Sequence, residues 1–171
     1  MIIPEQIEGK AVVGIDEEAF AGCNNITRVT IPEGAVYIGE RAFSGCTRLA
    51  SVVMPNSVTS IDERAFYYCT SLTDVMIPDN VTYIGDLAFA ACENLKTITV
   101  PNSVINIGEE AFGCVYVRSL VYPTIVGDNR SPYGTISYCS DPIIICPRNS
   151  YAHQYCVDND IRFQLIESVD Y

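Results

Sequence analysis

Apolar residues along this chain return on a fixed step of 23 positions. The dipeptide Ala-Phe stands at Ala19-Phe20, Ala42-Phe43, Ala65-Phe66, Ala88-Phe89 and Ala111-Phe112. Isoleucine keeps the same interval at Ile15, Ile38, Ile61, Ile84 and Ile107. Two further apolar columns run Ile26, Leu49, Leu72, Leu95 and Val29, Val52, Val75, Ile98. Proline follows at Pro32, Pro55, Pro78 and Pro101, and cysteine at Cys23, Cys46, Cys69 and Cys92. The fifth unit is one residue short after Phe112, so Cys114, Leu120 and Pro123 arrive one position early. So many columns in register mark a stacked-repeat architecture.

Inside one unit the polarity pattern predicts the local elements. Val52 and Met54 alternate with Ser51 and Val53, the period-2 signal of a short strand. Pro55 cannot donate to a ladder and ends that strand. Val58 to Ile61 predicts a second short extended piece, and Asp62 to Phe66 about one helical turn. A unit this small cannot bury a face alone; stacked on its neighbours, each column becomes a continuous ladder. The expected fold is a repeat solenoid with coils about 4.8 Å apart along the sheet. It is read as a single domain over 1–171, with five repeats at 11–123, a degenerate sixth coil at 124–147 and a C-terminal cap at 148–171.

The consensus Leu-x-x-Val-x-Ile-Pro-x-x-Val-x-x-Ile-Gly-x-x-Ala-Phe-x-x-Cys resembles the BspA-like leucine-rich repeat of bacterial surface proteins. That resemblance implies a right-handed coil with short parallel strands, one-turn helical segments and a helix-and-strand cap. The stretch from Asn149 to Phe163 resembles such a cap. Its apolar positions Tyr151, Ala152, Tyr155 and Cys156 fall on one helical face, placed to seal the last coil. The resemblance also implies a cell-surface or secreted location and a role in adhesion or host interaction.

Composition narrows the partners. The chain of 171 residues carries 10 Lys and Arg against 21 Asp and Glu, a formal net charge of -11. Such a surface repels phosphate backbones and anionic lipid, which argues against nucleic acid as a partner. No apolar run approaches the length that spans a bilayer, which argues against membrane insertion. The first residues, Met1-Ile-Ile-Pro-Glu-Gln, do not read as a secretory signal, which leaves a cytoplasmic location open.

Three clusters invite a chemical reading. Stacked cysteines keep parallel Cβ directions, so the Cys23, Cys46, Cys69, Cys92 column suits neither a disulfide nor a converging zinc site. A core ladder of reduced thiols is expected instead. Cys139, Cys146, His153 and Cys156 would supply a Cys3His set, but their spacing matches no common finger, and no metal or other cofactor is expected. His153 is the one histidine of the chain, with no nucleophile motif beside it. The carboxylates Glu17, Glu40, Glu63, Asp86 and Glu109 repeat in a solvated turn, where like environments do not split acid from base. No catalytic residue is assigned, and the chain is read as not an enzyme.

The outward side of the strands is the remaining candidate. One outward column holds Arg28, Ser51, Asp74, Thr97 and Ser119, and the other Thr30, Val53, Met76, Thr99 and Val121. Exposed apolar residues grouped there fit a contact patch. Tyr37 and Tyr83 form a second possible surface, since tyrosine favours interfaces, and Tyr67 and Tyr68 a third. The segment Gly127 to Gly134 breaks the repeat and is expected as a loop. The reading is a non-enzymatic module that binds a protein or glycan. An intracellular interaction scaffold is the alternative, and a zinc-dependent enzyme on the C-terminal cysteines a weaker one.

Overall fold

Among the described residues the four regular coils begin where the period-2 pattern places them and turn where proline ends the ladder. A computed structural model of the chain describes residues 1–113, 115–118, 135–138 and 142–166. A small antiparallel hairpin, β1 (Gln6–Ile7) and β2 (Lys10–Ala11), precedes the regular coils. Each coil then contributes a three-residue strand and, past the proline turn, a two-residue one. In chain order these are β3 (Arg28–Thr30), β4 (Tyr37–Ile38), β5 (Ser51–Val53), β6 (Ser60–Ile61), β7 (Asp74–Met76), β8 (Tyr83–Ile84), β9 (Thr97–Thr99) and β10 (Asn106–Ile107). They are followed by β11 (Val115–Arg118), β12 (Thr135–Tyr138), β13 (Ile143–Pro147), helix α1 (Tyr151–Asp158) and β14 (Phe163–Ile166).

Equivalent strands stack in parallel at a strict register, so the columns read from sequence become ladders. The short strands form one sheet, β10-β8-β6-β4, pairing Ile38 with Ile61 and Ile61 with Ile84. The longer strands form a second wall, with Val29 beside Val52 and Val75 beside Ile98. The Ala-Phe segment makes a third ladder: the amides of Phe20, Phe43 and Phe66 each donate to the alanine carbonyl of the next coil at 2.8 Å. The predicted helical turn takes the form of consecutive tight turns, as in Ala42 N–H to Gly39 O and Cys46 N–H to Phe43 O, both 3.2 Å. Glu18, Arg41, Arg64, Leu87 and Glu110 there have φ between 49 and 57°, a left-handed step that prevents a continuous helix. Alternate amides are then free to reach along the solenoid axis.

The interior is a repeated cross-section. Phe43, Phe66 and Phe89 are buried and stack with Phe20 and Phe112 at ring separations of 5.2 to 6.1 Å. Leu49, Leu72 and Leu95 and the isoleucine column fill the rest. At its C-terminal end α1 closes this core. Ala152 and Cys156 are buried, and the Tyr155 ring meets Phe112 edge-on at 6.0 Å. The Tyr155 hydroxyl donates to Gly108 O at 3.1 Å. Tyr151, expected on the sealing face, is instead 45% exposed.

Two features of the ends differ from a uniform stack. Residues Met1 to Ile3 add to the first wall: Ile3 N–H donates to Thr30 O at 3.1 Å and Thr30 N–H to Met1 O at 3.0 Å. The strand beside β9 is β13, pairing Ile143 with Thr97 and Ile145 with Thr99, and β14 pairs on its far side. The places next to Thr97 and Thr99, expected for Ser119 and Val121, are therefore held by Ile143 and Ile145. Ser119 and Val121, with the loop at 127–134, lie outside the described residues. Strands β11 and β12 form an antiparallel pair between β10 and β13.

Candidate binding surface

The outward columns of the long-strand wall come together as their alternation requires. With Val29, Val75 and Ile98 buried, Thr30, Val53, Met76 and Thr99 point the other way. Val53 is 52% and Met76 74% exposed, the two large apolar side chains of this column. Arg28, Ser51, Asp74 and Thr97 stand in the adjoining column, where the Thr97 hydroxyl donates to Asp74 Oδ1 at 2.6 Å. Asp74 is thereby held by its neighbour.

The wall is split between the second and third of these strands. Ala50 N–H donates to Thr27 O at 2.9 Å and Lys96 N–H to Thr73 O at 2.7 Å. Ile31 N–H reaches Val53 O at 2.9 Å, and Ile77 N–H reaches Thr99 O at 3.0 Å. Among the described residues no equivalent bond joins β5 to β7, neither Thr73 to Ala50 nor Met54 to Met76. Val52 and Met54, whose counterparts in other coils are buried, are only half-buried. The opening is a groove of about 400 Å³. Val52 and Met54 line it from the core columns, and Val53, Met76 and Thr99 from the outward column. Pro78 and Pro101 line it from the turns, with Ile77 and Ile166; Asn56 and Asp79 supply polar groups. The sequence pointed to Val53, Met76 and Thr99 but not to the prolines, Met54 or Ile166. The proline column directly after each strand was the available signal.

The tyrosines do not join this surface. Tyr37 and Tyr83 lie on the short-strand sheet and are separated by Ser60 in register. Tyr37 packs over Gly14, where an added Cβ would meet its ring, and its hydroxyl donates to Asp16 Oδ1. That bond pushes the Tyr37 phenol up, and burial raises that of Tyr83. Tyr67 and Tyr68 face each other at 6.4 Å. Tyr68 carries φ 58° at a column position held by Gly22 and Gly45 in earlier coils.

The cysteine column is part of the core. Cys46, Cys69 and Cys92 are buried, and each thiol donates to the phenylalanine carbonyl of the previous coil, at 3.1 to 3.2 Å. Burial pushes Cys46 up to about 11 and Cys92 to about 12, which suppresses the thiolate. Cys146 of β13 and Cys156 on the inner face of α1 are buried, and burial raises Cys156 to about 12. His153 Nδ1 accepts from Asn149 N–H at 3.1 Å, and its ring lies against Phe163 at 4.9 Å. Cys139 lies outside the described residues. Three of the repeated carboxylates make local contacts: Glu40 pairs with Arg41 and Glu63 with Arg64, and Asp86 Oδ1 accepts from Glu109 N–H at 2.8 Å.

Comparison with known proteins agrees with this geometry. Residues 11–131 match the BspA type leucine rich repeat region, in six copies. The solved leucine rich repeat protein of T. pallidum is 38% identical, with a TM-score of 0.64 over 66% of this chain and 52% of its own. This chain thus spans about half the length of that relative. The pneumococcal vaccine antigen PcpA matches over 97% of this chain and 41% of its own. At 16% identity and a TM-score of 0.60, that is a likeness of fold alone. No curated protein matches. Among the described residues no helix is long and apolar enough to cross a membrane.

Proposed function

The chain belongs to the BspA-type leucine-rich repeat family, and from that premise we propose that it is a non-enzymatic binding module working through the outer face of its long-strand wall. The observation that carries this reading is the apolar groove around Val53 and Met76. A stack whose central phenylalanine, isoleucine and cysteine columns are buried leaves Val53 and Met76 out at 52% and 74% exposure. Grouped exposed apolar residues of this kind mark contact sites. A rigid ladder on either side keeps the surface preorganised, which lowers the ordering cost of association.

The family resemblance supports a cell-surface module of adhesion or host interaction, with a protein or glycan as ligand. Arg28, Thr30, Ser51, Asp74, Thr97 and Thr99 are proposed as the polar surround of the groove, and Tyr37 and Tyr83 as a separate contact on the other sheet. The test is a panel of immobilised host-matrix proteins and glycans, read with the chain and with a Val53→Asp/Met76→Asp variant of unchanged circular dichroism. Loss of at least about tenfold in affinity for a panel ligand is expected. Undiminished binding by the variant would overturn the assignment to this face. Surface biotinylation of the native cell that labels none of the protein would overturn the adhesin role.

A further inference from the structure

We infer that the groove is the open form of a seam in the wall, and that β5 and β7 close it by completing their ladder. The coils that carry these two strands are joined along their other two sides. In the short-strand sheet Gly85 N–H donates to Ile61 O at 2.7 Å and Thr82 N–H to Thr59 O at 2.9 Å. In the Ala-Phe ladder Phe66 N–H donates to Ala88 O at 2.8 Å and Arg64 N–H to Asp86 O at 2.9 Å. The long wall is also pinned on either side of the gap. Before β7 the Ser71 hydroxyl donates to Thr47 O at 2.6 Å, and after it Asn80 Nδ2 donates to Asn56 O at 2.7 Å. Between these pins Thr73 N–H, Ala50 C=O, Met54 N–H and Met76 C=O lack the ladder bonds that their equivalents make.

Nothing in the two strands bars the pairing. Ser51-Val52-Val53-Met54 and Thr73-Asp74-Val75-Met76 contain no proline and a single charge, and their valines suit a pleated ladder. The 23-residue step sets Thr73 N–H opposite Ala50 C=O and Met54 N–H opposite Met76 C=O, as in the flanking pairs, and the strands remain in contact. Water meets these groups in the open form. Exchanging water for a ladder partner changes the free energy of a backbone group little, so the hydrogen bonds alone do not decide between the forms. Closing takes Val52 and Met54 out of water, as their counterparts Val29, Val75, Ile31 and Ile77 already are. The rotamer freedom that the Met54 side chain gives up on being buried opposes it. Val52 and Met54 line the groove, so closing removes its floor. The consequence rests on the binding role proposed above: a ligand of the groove is taken up by the open form and works against closure.

Methionine makes the movement observable, since Met54 and Met76 line the groove and Met1 lies outside it. The full chain is labelled with carbon-13 at its methionine methyls and measured by relaxation dispersion and saturation transfer. Exchange between two forms is expected at Met54 and Met76, on the microsecond-to-millisecond scale or slower. Flat profiles at both methyls would overturn the two-form seam. Hydrogen exchange gives a second reading: the Thr73 and Met54 amides should exchange at least about tenfold faster than those of Ala50, Lys96, Ile31 and Ile77. Equal protection of all six would overturn the open form. Met54→Ile places there the residue of Ile31 and Ile77, which gives up less rotamer freedom on burial. It is expected to slow Thr73 exchange at least about tenfold and to remove the exchange at Met76, with no fall in melting temperature. An unchanged Thr73 rate and Met76 profile in this variant would overturn ladder closure as the second form. None of these readouts involves a ligand, so a panel ligand lost by the Val53→Asp/Met76→Asp variant upholds binding at this face whichever way the seam behaves.

Discussion

At the scale of single residues the cysteine column shows how one position is selected for two properties at once. The side chain must be small enough to sit between stacked turns, and it must reach a phenylalanine carbonyl of the previous coil, which already accepts the turn amide and offers its second lone pair. A thiol does both, as Cys46 to Phe20 O at 3.1 Å and Cys69 to Phe43 O at 3.2 Å show. The cost is a burial that opposes ionisation. Each thiol has an ordinary value of 9.0 and is raised in the folded state, to about 11 at Cys46 and about 12 at Cys92 and Cys156. The unfolded chain therefore ionises first as pH rises, and the folded state loses stability from about pH 9 upward, through the folded values. Urea midpoints are expected to be level below that region and to fall steadily above it. A Cys46→Ala/Cys69→Ala/Cys92→Ala variant should flatten the fall, because it removes three of the groups that drive it. A variant falling as steeply as the parent would show that other groups carry the alkaline loss.

At the scale of elements, the distance between coils is enforced by what cannot be present as much as by what is. A Cβ added at Gly85 would lie 2.5 Å from Glu63 N and 2.6 Å from Asp62 C, backbone atoms of the preceding coil. Gly85 does not have a positive φ, so an alanine there is strained by the neighbour alone. Gly85→Ala is expected to destabilise by about 1–3 kcal/mol in urea titrations. The sign is informative, since an alanine that fitted would stabilise by about 0.4–1 kcal/mol through the unfolded chain. A neutral or stabilising result would mean that the coils spread without penalty. The elements themselves were legible where periodicity governs them: the strands, the proline turns and the phenylalanine spine follow from columns of like residues. What escaped the sequence lies where equivalent residues behave unequally. Val52 and Met54 are as apolar as Val75 and Ile77, so nothing in their identity announces a split beside β5. The first wall also gains Met1 to Ile3, whose Ile3-Pro4 repeats Ile31-Pro32 outside the 23-residue step. Strand β13 takes the place beside β9 because pairing is settled by the whole ladder, not by distance along the chain. Of the candidate surface, alternation identified Val53 and Met76; the groove needed the missing ladder bonds, which no residue pattern records.

For the molecule as a whole, a solenoid transmits stability only between neighbours, and the phenylalanine spine permits a direct measurement of that property. Phe43 and Phe66 stack at 5.3 Å and an interplanar angle of 4°, whereas Phe20 and Phe112 stand at opposite ends of the same spine. If stability is a sum of coil terms and nearest-neighbour interfaces, truncations in adjacent coils share an interface and truncations at the two ends do not. Phe66→Ala alone should cost about 3–5 kcal/mol, because its ring is fully buried. Gentler Phe→Leu changes keep the double variants folded for comparison. In a double-mutant cycle, Phe43→Leu with Phe66→Leu should depart from additivity by more than about 0.5 kcal/mol. Phe20→Leu with Phe112→Leu should add within about that margin. The cycle is read from chemical denaturation, with the transition checked for a single step by two probes, since long arrays lose cooperativity. Coupling between the end pair as large as in the central pair would overturn the nearest-neighbour description, and would require a path through the cap: Tyr155 joins Phe112 edge-on and ties Gly108 to α1. Independence of the ends has a functional corollary. The groove at β5 and β7 sits in the central coils and is also lined by Ile166 of β14, so its shape answers to the flanking coils and to that strand, and exposed changes on α1 should leave ligand affinity at the groove unaltered.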